Sequence, residues 1–584
     1  MTAFCITFIF LKTTLMNDQY DVVVLGGGLA GLTLSLQLKN AKPDISILVL
    51  ERRETEASTA AHKVGESTVE LGTHYLREVL DLKGYLEEFE LPKHGLRFFF
   101  KNDTKEDIAS RVELGPRLRL PVPSHQLDRG TLENYLMKLT KEKGNQLELG
   151  AKVSGVDIDA DNLHTVSYIK GGEEIKVTCR WVADASGRAS VLKRKFQFQK
   201  PMEHHTNAVW WRLKGVIDID DWTNNKEWKG YLEPGLRYLS TVHFMDKGYW
   251  LWVIPLGSKN TSIGIVADPA VHPFETYNTY EKSVEWMRVN EPLAHKMLVP
   301  LGEGDGLLDF KILKHYAHHT QKIYSTDRWG TTGESGPFLD PLYSPGTDFI
   351  AMNNGWLSDL ILRDLAGEDI ETRVNIYDQC HLALVDAWIP IYQNKYLLMG
   401  NTQIMVIKIF WDWAVYWAVP SHLFANKAFT NIRVLRDLFA AKNGLGRKFG
   451  DLHQIMQDLF LEWLPYENKT FSNRYVDPFD LKVLRKFQED IEVQHEPSAL
   501  IEQIAINMNL LEQLAVAIFR LVNAQVNGAS PDIRVNPYTI NLGKKEGAVM
   551  LDTESDAAIE PSEAILQDVD VIWFYPKVKE LETA

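Results

Sequence analysis

Cysteine is scarce in this chain: three residues in 584, at Cys5, Cys179 and Cys380. None stands in a Cys-x-x-Cys pair, which excludes a disulfide framework or zinc ribbon and makes a reducing, cytoplasmic setting the expectation. Positive charge is also short, with 63 Lys and Arg against 78 Asp and Glu and a formal net charge of −15. Such a surface repels phosphate backbones, so no nucleic-acid partner is expected. The apolar stretch from Met405 to Val419 carries Lys408 and Asp412; it is too short to cross a membrane and reads as a buried or interfacial helix. The first fifteen residues lack a basic start and a small-residue cleavage site, so a secretory signal is disfavoured and Met16 is the expected start of translation. There is no P-loop, no Ser-His-Asp set with a nucleophile elbow and no internal repeat. The histidines at His204-His205 and His315–His319 lack the partner spacing of a metal site, so no metal is expected.

What is present is the composition of a folded globular protein, 45% hydrophobic and 24% charged, with chain enough for several domains' worth of core. Asp21–Leu25 is a β-branched run of the kind found in a central parallel strand. It leads into Gly26-Gly27-Gly28-Leu29-Ala30-Gly31 and a helical leucine pattern through Leu38. A second strand, Ile45–Leu50, ends in Glu51, twenty-three residues beyond Gly28. Strand, GxGxxG turn, helix, strand and acid in that order form a dinucleotide-binding βαβ unit. The glycines let a pyrophosphate approach the helix N-terminus, whose free N–H groups and dipole favour the anion, while Glu51 accepts from a ribose hydroxyl.

Trp181–Gly187 reads as a second parallel strand running into a turn, and Gly333-Glu334-Ser335-Gly336 as a third glycine–acid turn. Thr261–Val266 is strand-like, and beyond about residue 356 the pattern becomes helical. Ile504, Met508, Leu511, Leu514, Ile518 and Leu521 form one apolar helical face, which Gly528 ends. The division expected is an N-terminal extension 1–16, a core 17–395, a helical region 396–544 and an acidic tail 545–584. The tail holds ten acidic and three basic residues and reads as solvated, with Val571–Tyr575 docking back as a strand.

Two further motifs carry a family resemblance. Trp250-Leu251-Trp252-Val253-Ile254-Pro255 fits WxWxIP, and Phe338-Leu339-Asp340-Pro341-Leu342-Tyr343-Ser344-Pro345-Gly346 fits FxxPxxSxG. With Gly65-Glu66-Ser67-Thr68 and Gln126-Leu127-Asp128-Arg129, the chain resembles the flavin-dependent halogenases of the FAD monooxygenase superfamily from about residue 19 to 400. The resemblance implies an α/β fold: a Rossmann-type FAD domain, an interleaved mixed-sheet substrate region and a helical C-terminal part. It implies a reaction in which reduced FAD, oxygen and a halide, chloride or bromide, yield hypohalous acid. That acid then halogenates an electron-rich phenol-like, indole or pyrrole substrate, free or carried on a protein. A separate flavin reductase is implied, because no second dinucleotide fingerprint is present.

By the same resemblance, Gly26, Gly28, Leu29, Ala30, Gly31, Glu51, Arg129, Asp184, Gly333 and Glu334 hold the flavin. Trp250, Trp252, Ile254 and Pro255 wall it from substrate, and on a strand the two indoles, two positions apart, face one side. Lys93, in Leu91-Pro92-Lys93-His94-Gly95, is the lysine expected to receive hypohalous acid or carry it as a haloamine. Asp340 stands where tryptophan halogenases carry a catalytic glutamate and is expected to assist proton removal. Halide is expected at Ser344, Gly346 and Thr347, where backbone N–H groups form an anion nest. Three departures stand out: Pro345 lacks an N–H, which loosens the nest toward bromide or iodide; Leu32 replaces tryptophan and argues against free tryptophan as substrate; Glu334 replaces aspartate. An FAD-dependent aromatic monooxygenase, and a catalytically silent flavin-binding scaffold, are the alternatives.

Overall fold

The computed structural model describes residues 18–57, 65–101, 104–439, 444–467, 469–530 and 532–575. The N-terminal extension with Cys5 and Met16, and the tail beyond Tyr575, lie outside them. A parallel sheet organises the first part: β1 (Gln19–Leu25) lies between β2 (Ile47–Glu51) and β4 (Glu173–Asp184). Beyond them, β3 (Gln146–Leu149) extends the sheet past β2 and β5 (Trp329–Thr331) past β4. Helix α1 (Leu29–Ala41) crosses from β1 to β2 with its leucines buried. Val22–Leu25 are buried because strands and helices cover both faces, which explains a run without alternation. The second strand starts at Ile47 rather than Ile45, since Ser46 is taken up in hydrogen bonds with the Asp21 carboxylate.

A second sheet of eight strands includes Tyr249–Pro255, paired antiparallel with Thr241–Asp246 and Asn260–Ala267. Its two faces feed different cores. Trp250, Trp252 and Ile254 face the large core shared with the helices, while Leu251 and Val253 join a smaller one around Trp211, Trp222 and Trp286. Gly264 lies opposite Trp252, and a Cβ there would fall 2.2 Å from the indole, so glycine makes room for this tryptophan.

The helical part comprises α2 (Gly346–Leu365), α3 (Thr402–Tyr416), α4 (Leu445–Trp463), α5 (Pro497–Asn527) and α6 (Glu563–Val571). Helix α3 is buried all round, which explains its apolar composition, and its Lys408 and Asp412 pair at 2.5 Å inside it. Helix α5 is long and apolar enough to cross a membrane by length and composition, but it packs its Ile504–Ile518 face into the core against α4 and α6 and ends at left-handed Gly528. Val571–Tyr575 docks back without forming a strand. Val571 ends α6, and the Gln403 side chain takes the place of a strand neighbour, donating to the Ile572 carbonyl at 2.9 Å and accepting the Phe574 N–H at 2.6 Å. The preceding acidic segment is anchored as well, through a bridge between Val535 and Ile559.

Removing one partner of the buried Lys408–Asp412 pair strands a charge. Lys408→Met should lower the urea unfolding midpoint by the equivalent of about 3–5 kcal/mol, whereas loss of an exposed pair such as Lys83–Glu87 should shift it by under about 1 kcal/mol.

Candidate active site

Three turns that the sequence separates by some 150 residues each meet at the C-terminal ends of β1, β4 and β5, the edge at which open α/β sheets bind ligands. A Cβ on Gly26, at φ +115°, would lie 2.3 Å from the Ala185 carbonyl oxygen, and one on Gly31 would lie 2.1 Å from that of Gly26. Gly333 is left-handed at φ +62°, and a Cβ on it would press within 2.8 Å of Ala30. Glycine is therefore required where the turns touch. Helix α1 starts at Gly28 without a side-chain cap, leaving its first-turn N–H groups for a ligand anion. Leu29 and Ala30 form that buried first turn.

The carboxylates at these turns are already engaged with the backbone. Glu51 accepts the Gly27 N–H at 2.8 Å and the Arg53 N–H at 2.9 Å. Asp184 is buried and accepts from Ser186 and from the Leu192 N–H at 2.7 Å, while its carbonyl accepts the Thr332 N–H, tying the second turn to the third. Arg129 donates to Glu133 at 2.8 Å, and Glu133 meets Arg53, so the arginine segment is wired through Arg53 to Glu51. Glu334 is half-buried and its carbonyl accepts from His318. An uncapped helix start, side-chain-free turns and a fixed acid at the second strand fit a dinucleotide cofactor.

A cleft holding about 830 Å³ of space, mouth included, lies between the second sheet and helices α2, α3 and α4. Lys93 lines it from the short strand Leu91–Lys93, buried to 6% exposure, and donates to the Thr68 carbonyl at 2.6 Å. Burial pushes its ammonium down to about 7, against the opposing attraction of Glu70 and Asp348. Those two carboxyls line the same cleft, and sequence reasoning missed both. Burial raises the Asp348 carboxyl to about 7 even though Tyr416 and the Gly72 N–H donate to it at 2.8 and 2.7 Å; burial raises Glu70 as well. Each stands just past a recognised motif, Glu70 beyond Gly65–Thr68 and Asp348 beyond Ser344–Gly346, and nothing in their spacing marks them.

Asp340 does not line the cleft. Its Oδ2 accepts from His204 at 2.7 Å, Tyr316 at 2.8 Å and Tyr396 at 2.7 Å, and its Oδ1 from the Leu342 N–H at 3.0 Å. Tyr396 also accepts from the Trp250 indole at 3.0 Å, so Asp340 braces the tryptophan strand. Trp250 and Trp252 are buried side by side, centroids 5.5 Å apart, with Ile254 and Pro255 continuing the strand. Neither indole reaches the cleft. His243 and Phe98 stack in the gap, His243 lying 5.5 Å from Trp250 and 4.6 Å from Phe98, which meets Tyr343 and Trp413 at the cleft wall.

The Tyr343–Gly346 turn carries two successive left-handed residues, Tyr343 at φ 70° and Ser344 at φ 61°, each disfavoured by roughly 1–3 kcal/mol. The Tyr343 hydroxyl donates to Asp412 at 3.0 Å and holds this strain. Pro345 is the N-cap of α2, so Gly346 and Thr347 supply the first-turn N–H groups that have no acceptor within the helix. The proline's missing N–H therefore leaves the helix start intact. The histidine clusters are engaged with protein groups, His204 with Asp340 and His319 with Asp386, and no metal-binding group of side chains occurs among the described residues.

The FAD binding domain family matches residues 19–262. The chain is 28% identical to a flavin-dependent halogenase of Dictyostelium discoideum over 449 residues, 70% of this chain and 71% of that protein. It is 24% identical to a 1H-pyrrole-2-carbonyl-[peptidyl-carrier protein] chlorinase of Pseudomonas fluorescens, across 58% of this chain and 75% of that one. Among solved structures it superposes on the halogenase PltM in complex with phloroglucinol and FAD with a TM-score of 0.58 at 15% identity, covering 84% of this chain and 96% of that.

The close approach at the first turn gives a direct test. Gly31→Ala should weaken FAD binding at least about tenfold in a flavin fluorescence titration, with far-ultraviolet circular dichroism unchanged.

Proposed function

We propose, from the chain's similarity to flavin-dependent halogenases, that it halogenates an electron-rich aromatic molecule in the cleft beside Lys93. The observation that carries this reading is a buried lysine lining an aromatic-walled cleft, its proton loosely held and two carboxyls beside it. Bound in reduced form, FAD supplies with oxygen the oxidising equivalents that convert a halide ion to hypohalous acid. Gly26, Gly28 and Gly31, with the first turn of α1 at Leu29 and Ala30, would cradle its pyrophosphate, and Glu51 its ribose. Gly333 and Glu334 would border its far half, Arg129 and Asp184 would hold the surrounding turns, and Ser344 with the first-turn residues Gly346 and Thr347 of α2 would receive the halide.

Lys93 accepts the electrophilic halogen when its nitrogen is unprotonated. The nitrogen–halogen bond forms, hydroxide leaves, and it departs as water with one amine proton. An arene in the cleft then takes the halogen as the nitrogen–halogen bond breaks. Its ring proton passes through the Asp348 carboxylate back to the Lys93 nitrogen. Asp348 takes the role that Asp340 was expected to fill, because it lines the cleft and Asp340 does not. Aromatic side chains exclude water and keep the electrophile from being spent on solvent. The substrate is a small arene, free or attached to a carrier protein, and a separate flavin reductase supplies the reduced cofactor.

Lys93→Met should lower arene halogenation at least about a hundredfold while flavin oxidation and release of free hypohalous acid continue, read by product mass spectrometry and a thiol-trapping assay. Unchanged arene halogenation removes Lys93 from the reaction. The pH dependence follows from the same groups. The lysine must lose its proton and the Asp348 carboxyl must be ionised, and both changes run in one direction, so single-turnover transfer to arene should rise with pH through about 7. Asp348→Asn should flatten that rise.

A further inference from the structure

The hydroxyls of the cleft's tyrosines and its lysine are already committed to protein acceptors. Tyr343 donates to Asp412, Tyr392 to the Leu342 carbonyl, Tyr416 to Asp348 and Lys93 to the Thr68 carbonyl. Two buried ring nitrogens lining the cleft lack a hydrogen-bond partner among the described residues: Trp417 Nε1, beside the Glu70 carboxyl, and one on His453 of α4, which is 1% exposed. Its Nδ1 meets the Trp411 indole nitrogen at 3.2 Å. An indole N–H can only donate, so Nδ1 accepts and the neutral ring carries its proton on Nε2. The ring is neutral, because burial, with Lys408 and Lys395 adding to it, pushes the imidazole down to about 3. That Nε2–H has no hydrogen-bond partner among the described residues. The ring is fixed in place, parallel to both Phe449 and Trp411.

A buried donor without an acceptor is destabilising unless something in the cleft accepts from it. Resting on the halogenation reading, we propose that His453 Nε2–H is the donor that captures the oxygen of a phenolic substrate and so selects phenols over pyrroles and indoles. A phenol oxygen both accepts a hydrogen bond and activates its ring toward an electrophile. A pyrrole or indole nitrogen bears a proton, offers no acceptor in the ring plane, and would set donor against donor. Trp411 acts as a positioning residue, since its indole fixes which nitrogen of His453 carries the proton.

The test measures binding, which needs no turnover. Isothermal calorimetry on the full chain loaded with oxidised FAD compares 4-propylphenol with 4-propyltoluene, matched in shape, and with indole. The wild-type protein should favour the phenol about tenfold over the toluene. His453→Leu should reduce that preference to under about twofold with 4-propyltoluene affinity unchanged, and His453→Gln, which can accept from Trp411 and still donate, should restore most of it. Equal loss for both ligands in His453→Leu, or a preference that survives it, overturns the proposal. If the leucine variant does not fold, the glutamine variant decides: a preference abolished there, or none in the wild type, also overturns it. Phenol selectivity without any halogenated product would sink the halogenation reading and leave the His453 assignment standing.

Discussion

The buried Asp412 carboxyl ties together the elements that wall the cleft. Its Oδ2 accepts from Lys408 at 2.5 Å and from Tyr343 at 3.0 Å, and its Oδ1 from Gln457 at 2.7 Å. A carboxylate taken out of water at this depth is tolerable only with such partners. Here they come from three places: α3 itself, the motif turn before α2, and α4. One carboxyl thus locks the turn before α2, with its two left-handed residues, to the helices that form the far wall of the cleft. The hydrophobic core is correspondingly continuous from Val22 in β1 to Phe574 beyond α6, and the cleft is lined from both sides of residue 395. The flavin-type half and the helical half share this interior, so the geometry at Lys93 depends on packing contributed more than 300 residues later.

What could be read from the sequence was what depends on local backbone geometry. The GxGxxG turn, the strands on either side and the acid at Glu51 sit at fixed intervals, since a pyrophosphate-binding turn allows few backbone paths and glycine at only certain points. The tryptophan strand was legible for the same reason: alternation puts Trp250 and Trp252 on one face whatever lies beyond it. The end of the chain was misjudged as a strand at Val571–Tyr575 because β-branched and aromatic residues report burial, not pairing. Burial is real there, but a glutamine side chain on α3 supplies the hydrogen bonds that a neighbouring strand would give.

The cleft's chemistry was legible only in part, and the reason is physical. Lys93 could be picked out by its motif neighbourhood, yet its altered basicity comes from burial and from Glu70 and Asp348, which reach it from other segments. Asp340 looked like the catalytic carboxylate because it precedes Pro341 in a recognised pattern. In the fold, three donors saturate its Oδ2 and turn it into a brace for Trp250 through Tyr396. His453 lies in a stretch that the sequence pattern marked only as helical. Its significance arises from a hydrogen-bond count that no one-dimensional spacing contains.

These placements divide the labour between two kinds of group. Between the tryptophan pair and the cleft stand His243 and Phe98, and burial pushes the His243 imidazole down to about 3, so that column of rings carries no charge near neutral pH. A neutral, close-packed aromatic column neither attracts an anion nor gives up a proton. Lys93 and Asp348 face the cleft, each shifted to about 7 from opposite directions by burial, with Glu70 raised beside them. A lysine made less basic and an acid made less acidic exchange a proton at little cost in free energy. Such a pair suits a step in which nitrogen must release a halogen as carbon releases a proton. The neutral barrier and the titrating pair therefore follow from one cause, the exclusion of water by the aromatic interior that Asp412 holds together.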